Sequence, residues 1–154
     1  MKKTCVLILE NLRSVENTAS IFRAADGFGV SKIFLVGSTP APIDRFGRKR
    51  KDFSKVSLGT ENIDWEYDKE ILPVIKELKD QEFQIISLEQ DPRSKRLKDF
   101  KAKEKFALIV GSEVDGISKK ALDTSDAIVE IPMQGKKESF NVSVAAGAAL
   151  FMLI

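Results

Sequence analysis

Short apolar runs and amphipathic stretches alternate along the chain. Residues 5–9, 33–36, 83–88, 106–110 and 127–131 are rich in Ile, Val, Leu and Phe, as strands buried on both faces require. Segments with helical spacing lie between them, so the pattern predicts an α/β domain on a parallel sheet covered on both faces. The first helix is expected to begin near Asn17, a residue type that caps helices, and to end at Gly27 or Gly29. At about 100° per residue, Ile21, Ala24, Ala25 and Phe28 share one side, while Ser20 and Arg23 face the other. Arg23 is thereby turned away from the core. A second helix is expected over residues 68–81, with Pro73 starting or disturbing it and Ile75 and Leu78 facing inward.

Residues 142–154 are apolar on every side after Ser143, which calls for cover from more than one direction. The sheet supplies one neighbour. A second copy of the chain is the expected other, giving a homodimer through the C-terminal apolar helix; a polar segment beyond residue 154 would serve the same purpose. Residues 38–60 form a long, charged connection with two prolines, and loops of that length inside a compact domain are often functional. No repeat or linker divides the chain, so residues 1–154 are expected to form a single domain.

Composition narrows the chemistry. With 154 residues, 43% hydrophobic and 31% charged, the chain can bury a sizeable core and is not of the disordered class. It has no histidine and one cysteine, Cys5. Ser-His-Asp and Cys-His triads, histidine metal sites, zinc fingers and an internal disulfide are therefore excluded. Catalysis must come from carboxylates, hydroxyls, amides, Lys, Arg, backbone groups or a bound cofactor. A net charge of +2 is too mild to identify a polyanionic partner, so the distribution of charge decides. No uncharged stretch reaches the length of a membrane span and no leader pattern opens the chain. The expectations are a cytoplasmic location, no membrane partner and no metal.

Three segments carry candidate chemistry. The first is the helix from Asn17 with its outward Arg23. The second, Gly111-Ser112-Glu113-Val114-Asp115-Gly116-Ile117-Ser118, directly follows an apolar run. In a parallel sheet, ligands bind beyond the carboxyl ends of strands, and glycines there permit close backbone approach. The spacing is neither that of a dinucleotide fingerprint nor that of a P-loop. The bland alternative is a glycine turn into a helix capped by Ser118. The third segment runs from Ile131 through Met133, Gly135, Ser139 and Asn141 to Gly147. Ser139 and Asn141 stand where helix capping also favours small polar residues. Two glycine-bearing polar loops after successive strands describe one crevice.

Taken together, the three segments resemble the three motifs of the SPOUT class of methyltransferases, specifically the SpoU/TrmH family of RNA ribose 2'-O-methyltransferases. Asn17, followed six residues later by Arg23, resembles the first motif. Gly111, Glu113 and Gly116 resemble the second, and Met133, Gly135, Ser139 and Asn141 the third. Ser57-Leu58-Gly59-Thr60-Glu61 resembles a further loop common in the family. Two positions differ: Ala19 stands where the family often has Gly, and Phe140 where it usually has Leu.

The resemblance implies a deep trefoil knot in the C-terminal part, a topology that general rules of connection would not have predicted. It also implies a homodimer and S-adenosylmethionine as cofactor. The binding residues would be Gly111, Ser112, Glu113, Gly116, Ile131, Met133, Gly135, Ser139 and Asn141. The implied reaction is methyl transfer to a ribose 2'-hydroxyl of tRNA or rRNA, with Arg23, Asn17, Glu113, Ser139 and Asn141 as catalytic residues. The family assigns the base role to the arginine matching Arg23; electrostatic positioning of the RNA phosphate is the chemically milder role for a guanidinium. A non-catalytic RNA-binding protein on the same scaffold is the alternative from another class, and a flavodoxin-like nucleotide-binding module is a third.

RNA binding has separate support in residues 45–51, where Arg45, Arg48, Lys49, Arg50 and Lys51 make five of seven residues basic around Phe46. A second basic stretch, Lys95, Arg96, Lys98, Lys101, Lys103 and Lys105, is diluted by Asp99 and Glu104. Neutralising Arg48, Lys49 and Arg50 together is expected to weaken RNA binding and flatten its dependence on salt; affinity titrations at several salt concentrations read both effects, and an unchanged slope removes the assignment.

Overall fold

A computed structural model of the chain describes residues 2–154. Its centre is a seven-stranded sheet formed by β1 (Thr4–Glu10), β2 (Lys32–Val36), β3 (Trp65–Asp68), β4 (Gln84–Leu88), β5 (Lys95–Arg96), β6 (Lys105–Gly111) and β7 (Ala127–Glu130). The order is β3-β2-β1-β6-β4-β7-β5, and every pairing is parallel. β1 and β6 lie side by side from Thr4↔Lys105 to Glu10↔Gly111. Both strands are covered on each face, which is why they read as unbroken apolar runs rather than as alternation.

Odd and even positions of these strands feed two separate cores. Leu7, Leu9, Ile33, Leu35, Leu108 and Val110 face one layer, made of α1 (Val15–Phe28), α2 (Lys51–Ser57) and α5 (Val142–Leu153). Val6, Ile8, Phe34, Val36, Ala107 and Ile109 face the other, made of α3 (Ile71–Asp80) and α4 (Lys119–Thr124). The first core is anchored by Phe22 of α1 and Phe53 of α2, both fully buried and edge to face at 5.1 Å between ring centroids.

The cap of α1 differs from expectation. Ser14 holds the N-cap position and its Oγ accepts from the Asn17 N–H at 3.0 Å, so the Asn17 side chain is spared for other contacts. The helix ends at Gly29, whose φ of 72° is the left-handed conformation that glycine adopts without strain. In α3, Pro73 sits in the first turn, where its missing N–H has no intrahelical partner to lose. The connection after β2 is not structureless: it contains α2 and a 3-10 turn at Thr60–Asn62. β3 and β5 were not visible as apolar runs because they are short edge strands, which polar residues suit.

Helices α1 and α5 run side by side in the same direction. Asn17 meets Asn141 at their amino ends, and the rings of Phe28 and Phe151 approach to 6.4 Å at their carboxyl ends. The far side of α5 exposes Val144, Ala148, Phe151 and Met152, an apolar stripe at helical spacing. Among the described residues no helix is long and apolar enough to cross a membrane, and no cluster of His, Cys, Asp and Glu has the makings of a metal site. Phe22→Ala is expected to cost about 3–5 kcal/mol, read as a lower midpoint in urea unfolding; a change below about 1 kcal/mol would mean that the α1–α2 contact is not part of the core.

Candidate active site

Because all strands point the same way, the loops leaving their carboxyl ends gather on one rim of the sheet. Those after β4, β6 and β7 enclose a cavity of about 500 Å³, a size typical of a small-molecule site. Leu88, Ile117, Leu122, Ile131, Val142 and Ala145 form its apolar wall. Glu89, Glu113, Asp115, Glu130 and Glu138 form a polar wall, and among the described residues no Lys or Arg lines it.

The loop after β6 is held from within and from both neighbouring strands. Ser112 Oγ accepts from the N–H groups of Val114 and Asp115 at 3.1 and 3.2 Å, while the Gly116 N–H donates to the Ser112 carbonyl at 2.9 Å. From β1, the buried Glu10 takes the Ser118 N–H at 2.7 Å and the Ser118 hydroxyl at 2.8 Å. Burying a carboxylate is costly without such partners. From the end of β4, Glu89 Oε2 accepts from the Ile117 N–H at 2.9 Å, and the Gln90 amide donates to the Glu138 carbonyl at 2.9 Å, tying together two walls of the cavity.

Two glycines are needed for this packing. A Cβ at Gly111 would stand 2.5 Å from both the Gly116 carbonyl carbon and the Ile117 nitrogen, and one at Gly116, whose φ is 68°, would stand 2.4 Å from Glu89 Oε2. Their absent side chains let the loop fold onto its own strand. Gly135 is different, with open space around it.

Residues far apart in sequence meet beside the cavity. Asn17 Nδ2 donates to Glu113 Oε1 at 2.7 Å, and Asn141 Nδ2 donates to Asn17 Oδ1 at 3.1 Å. Asn141 also caps α5, its Oδ1 accepting from the Ser143 and Val144 N–H groups at 2.9 and 3.3 Å. One hydrogen-bonded chain thus joins a residue from each of the three segments singled out in the sequence. Gly111, Ser112, Glu113, Gly116, Ile131 and Ser139 line the cavity, whereas Met133, Gly135 and Asn141 lie outside its lining. Arg23 is exposed on α1, makes no ion pair or hydrogen bond among the described residues, and is not part of the cavity. Burial pushes the Cys5 thiol up to about 12, which makes it a poor nucleophile.

Arg45, Arg48, Lys49, Arg50 and Lys51 occupy the loop after β2 and the start of α2, on the same rim as the cavity. Three of the five have acidic partners: Arg48 with Asp44 at 2.9 Å, Arg50 with Asp52 at 3.0 Å and Lys49 with Glu61 at 3.7 Å. The Arg48 N–H, with that of Phe46, holds the Asp44 carboxyl below the usual carboxylate range. The Ser57 hydroxyl does the same for Glu61. The second basic stretch is dispersed, with Lys103 and Lys105 at the amino end of β6, the opposite rim.

Glu10, Glu89, Gln90, Glu130 and Glu138 were not singled out from the sequence. For three of them a signal was present: Glu10, Glu89 and Glu130 each stand at or just beyond the carboxyl end of an apolar strand, where a carboxylate faces the ligand-binding rim.

The chain belongs to the SpoU rRNA Methylase family, whose model matches residues 4–151. It is similar to a tRNA (guanosine(18)-2'-O)-methyltransferase of Aquifex aeolicus, with 27% identity over 97% of this chain and 68% of the relative. Among solved structures, the Aquifex aeolicus TrmH/SpoU tRNA modifying enzyme superposes with a TM-score of 0.83 at 25% identity, covering 98% of this chain and 74% of that one. An AdoMet-bound rRNA methyltransferase from Sinorhizobium meliloti shares the fold with a TM-score of 0.85 at 21% identity, covering 99% of this chain and 56% of that one. The chain spans 56–68% of the length of the curated relatives it matches.

Gly111→Ala is expected to destabilise the protein by about 1–3 kcal/mol, since backbone must yield to the new methyl, and Gly135→Ala to leave stability unchanged. Urea unfolding of the two variants checks the contrast, and equal midpoints would contradict it.

Proposed function

We propose that this protein transfers a methyl group from S-adenosylmethionine to a ribose 2'-hydroxyl of tRNA or rRNA, with residues 1–154 acting as one catalytic domain in the cytoplasm. The observation that carries this reading is the hydrogen-bonded chain of Glu113, Asn17 and Asn141 at the mouth of a cavity built from the loops after β4, β6 and β7. Membership of the family supports it.

The cavity suits the cofactor in shape and charge. Its apolar wall of Leu88, Ile117, Ile131 and Val142 fits a flat heterocycle, and its carboxylates, with no Lys or Arg in the lining among the described residues, fit a ligand with cationic groups. When bound, S-adenosylmethionine would supply a sulfonium methyl carbon to the ribose 2'-oxygen, the carbon–sulfur bond breaking to leave S-adenosylhomocysteine and the hydroxyl proton passing to water. Gly111, Ser112, Gly116 and Ile131 would hold the ligand through the loops they shape, and Ser139 closes the wall next to α5. Met133 and Gly135 contribute through the course of the segment between β7 and α5. Asn17, Glu113 and Asn141 fix the loops relative to one another, so that the reacting atoms are aligned, which is the larger part of such a barrier.

Arg23 takes its part through a homodimer. It stands on the exposed side of α1 next to α5, whose outer face is the apolar stripe of Val144, Ala148, Phe151 and Met152. Pairing two copies through that stripe buries it and brings the α1 helices toward the joint. A guanidinium stays protonated at working pH, so Arg23 positions the RNA phosphate. Arg45, Arg48, Lys49, Arg50 and Lys51 extend the positive surface along the rim. The C-terminal trefoil knot belongs to the same reading. Its support is the strand order, in which β7 lies beyond β4 while α5 returns to α1, so the segment between them crosses back over the cavity rim.

The test is calorimetric titration with S-adenosylmethionine, followed by transfer assays on bulk RNA. Saturable binding is expected for the wild type and for Arg23→Ala, with transfer lost in the variant. No binding at millimolar cofactor to the folded protein would withdraw the methyltransferase reading and leave a non-catalytic RNA-binding protein.

A further inference from the structure

The loop between β2 and α2 carries a feature that phosphate contacts do not explain. Phe46 stands at its tip with 66% of its surface exposed, and the loop beneath is locked. Ile43 and Lys49 form an antiparallel bridge, the Asp44 N–H donates to the Arg48 carbonyl at 2.8 Å, and the Gly47 N–H donates to the Asp44 carbonyl at 3.0 Å. Asp44 Oδ1 accepts from the N–H groups of both Phe46 and Arg48, at 2.8 and 2.9 Å. Gly47 completes the turn with a φ of 75°. All this order presents an aromatic ring to solvent rather than to the core, and a preorganised group loses little entropy on binding.

The surroundings of the ring define its partner. Two guanidiniums lie over it, those of Arg45 at 4.8 Å and Arg48 at 5.0 Å from its centroid. Arg48 is tethered, its Nε donating to Asp44 Oδ2 at 2.9 Å. Arg45 makes no hydrogen bond or ion pair among the described residues and is held by the ring alone. An incoming flat π system can displace Arg45 from the ring while Arg45 turns to an adjacent anion. A nucleobase with its own phosphate supplies both groups in one unit. A lipid surface offers no flat ring, and an acidic peptide offers no stacking face by default. The loop follows β2 and lies on the rim that holds the cavity, separated from β6 only by β1.

We propose that residues 43–49 form a stacking platform on which an unpaired base of the bound RNA lies against Phe46, so that a single-stranded stretch and not a continuous duplex engages this part of the rim. This rests on the RNA reading above. In an A-form duplex the base faces are hidden and recognition falls to phosphates and 2'-hydroxyls, which give Phe46 nothing to stack on.

The experiment compares two RNA probes of equal composition, a hairpin with an unpaired loop and a blunt duplex, against the wild type, Phe46→Ala and Phe46→Trp. The wild type is expected to bind the hairpin more tightly than the duplex. Phe46→Ala should lose about 5- to 150-fold on the hairpin, the range of one base–aromatic stack, and leave the duplex unchanged, while Phe46→Trp restores hairpin binding. A hairpin carrying 2-aminopurine in its loop should show fluorescence quenching that disappears in Phe46→Ala. Equal losses on both probes, or none on either, would overturn the platform while leaving the RNA reading in place. Failure of the wild type to bind either probe would remove the RNA reading and the platform with it; cofactor titration separates that outcome from a misfolded sample. Phe46 is exposed and packs in neither core, so its replacement does not endanger the fold.

Discussion

The pairing of β1 with β6 is the constraint on which the rest of the protein depends. These strands lie far apart in the sequence and run in register along their whole length, so the loops that leave them emerge side by side. That adjacency lets Glu10 of β1 hold Ser118, and lets Asn17, at the start of the helix after β1, reach Glu113 in the loop after β6. A one-residue slip would turn every side chain of one strand to the wrong core and would part these contacts together. Such a non-local parallel pairing must be closed at the cost of loop entropy before it is rewarded, a topology associated with slow folding.

The candidate site follows from that adjacency by a division of labour between residue types. The glycines shape walls: at Gly111 and Gly116 the missing side chains let one stretch of chain lie against another. The carboxylates and amides fasten those walls. Glu10 and Glu89 hold the loop after β6 by its backbone N–H groups, while Asn17 and Asn141 connect it to two helices. Hydrogen bonds to ionised acceptors are stronger than neutral ones, which suits a site whose elements come from distant parts of the chain. The exposed pair of Arg13 and Asp115, 3.1 Å apart, adds little by comparison.

Charge is sorted by position around the rim. The cavity carries carboxylates and no cations among the described residues, whereas the loop after β2 carries a basic cluster. Asp44, Asp52 and Glu61 hold three of its side chains in place, which lowers the net charge of the loop but orders it. A polyanion is repelled from one part of the rim and drawn to the other, so the two binding functions proposed here occupy separate places on one edge of the sheet.

The central strands, the two-layered helical cover and the polar, glycine-bearing loops at strand ends were legible in the sequence, because burial on both faces demands apolar runs and because glycine and small polar residues mark strand ends. The inward face of α3 was readable for the same reason of periodicity, whereas on α1 only Ile21 and Ala25 of the expected side are buried, and the core anchor Phe22 lies outside it. The N-cap of α1 was misassigned to Asn17 because Ser14 and Asn17 are both capping residues, and only the backbone geometry distinguishes them. β3 and β5 escaped notice because edge strands carry no apolar signature. Tertiary structure alone decided that Asn17, Glu113 and Asn141 form one hydrogen-bonded chain, and that Met133, Gly135, Asn141 and Arg23 do not line the cavity. The physical reason is that local composition specifies which faces are buried, whereas a contact between distant residues depends on the order in which strands are inserted into the sheet, and no local pattern encodes that order.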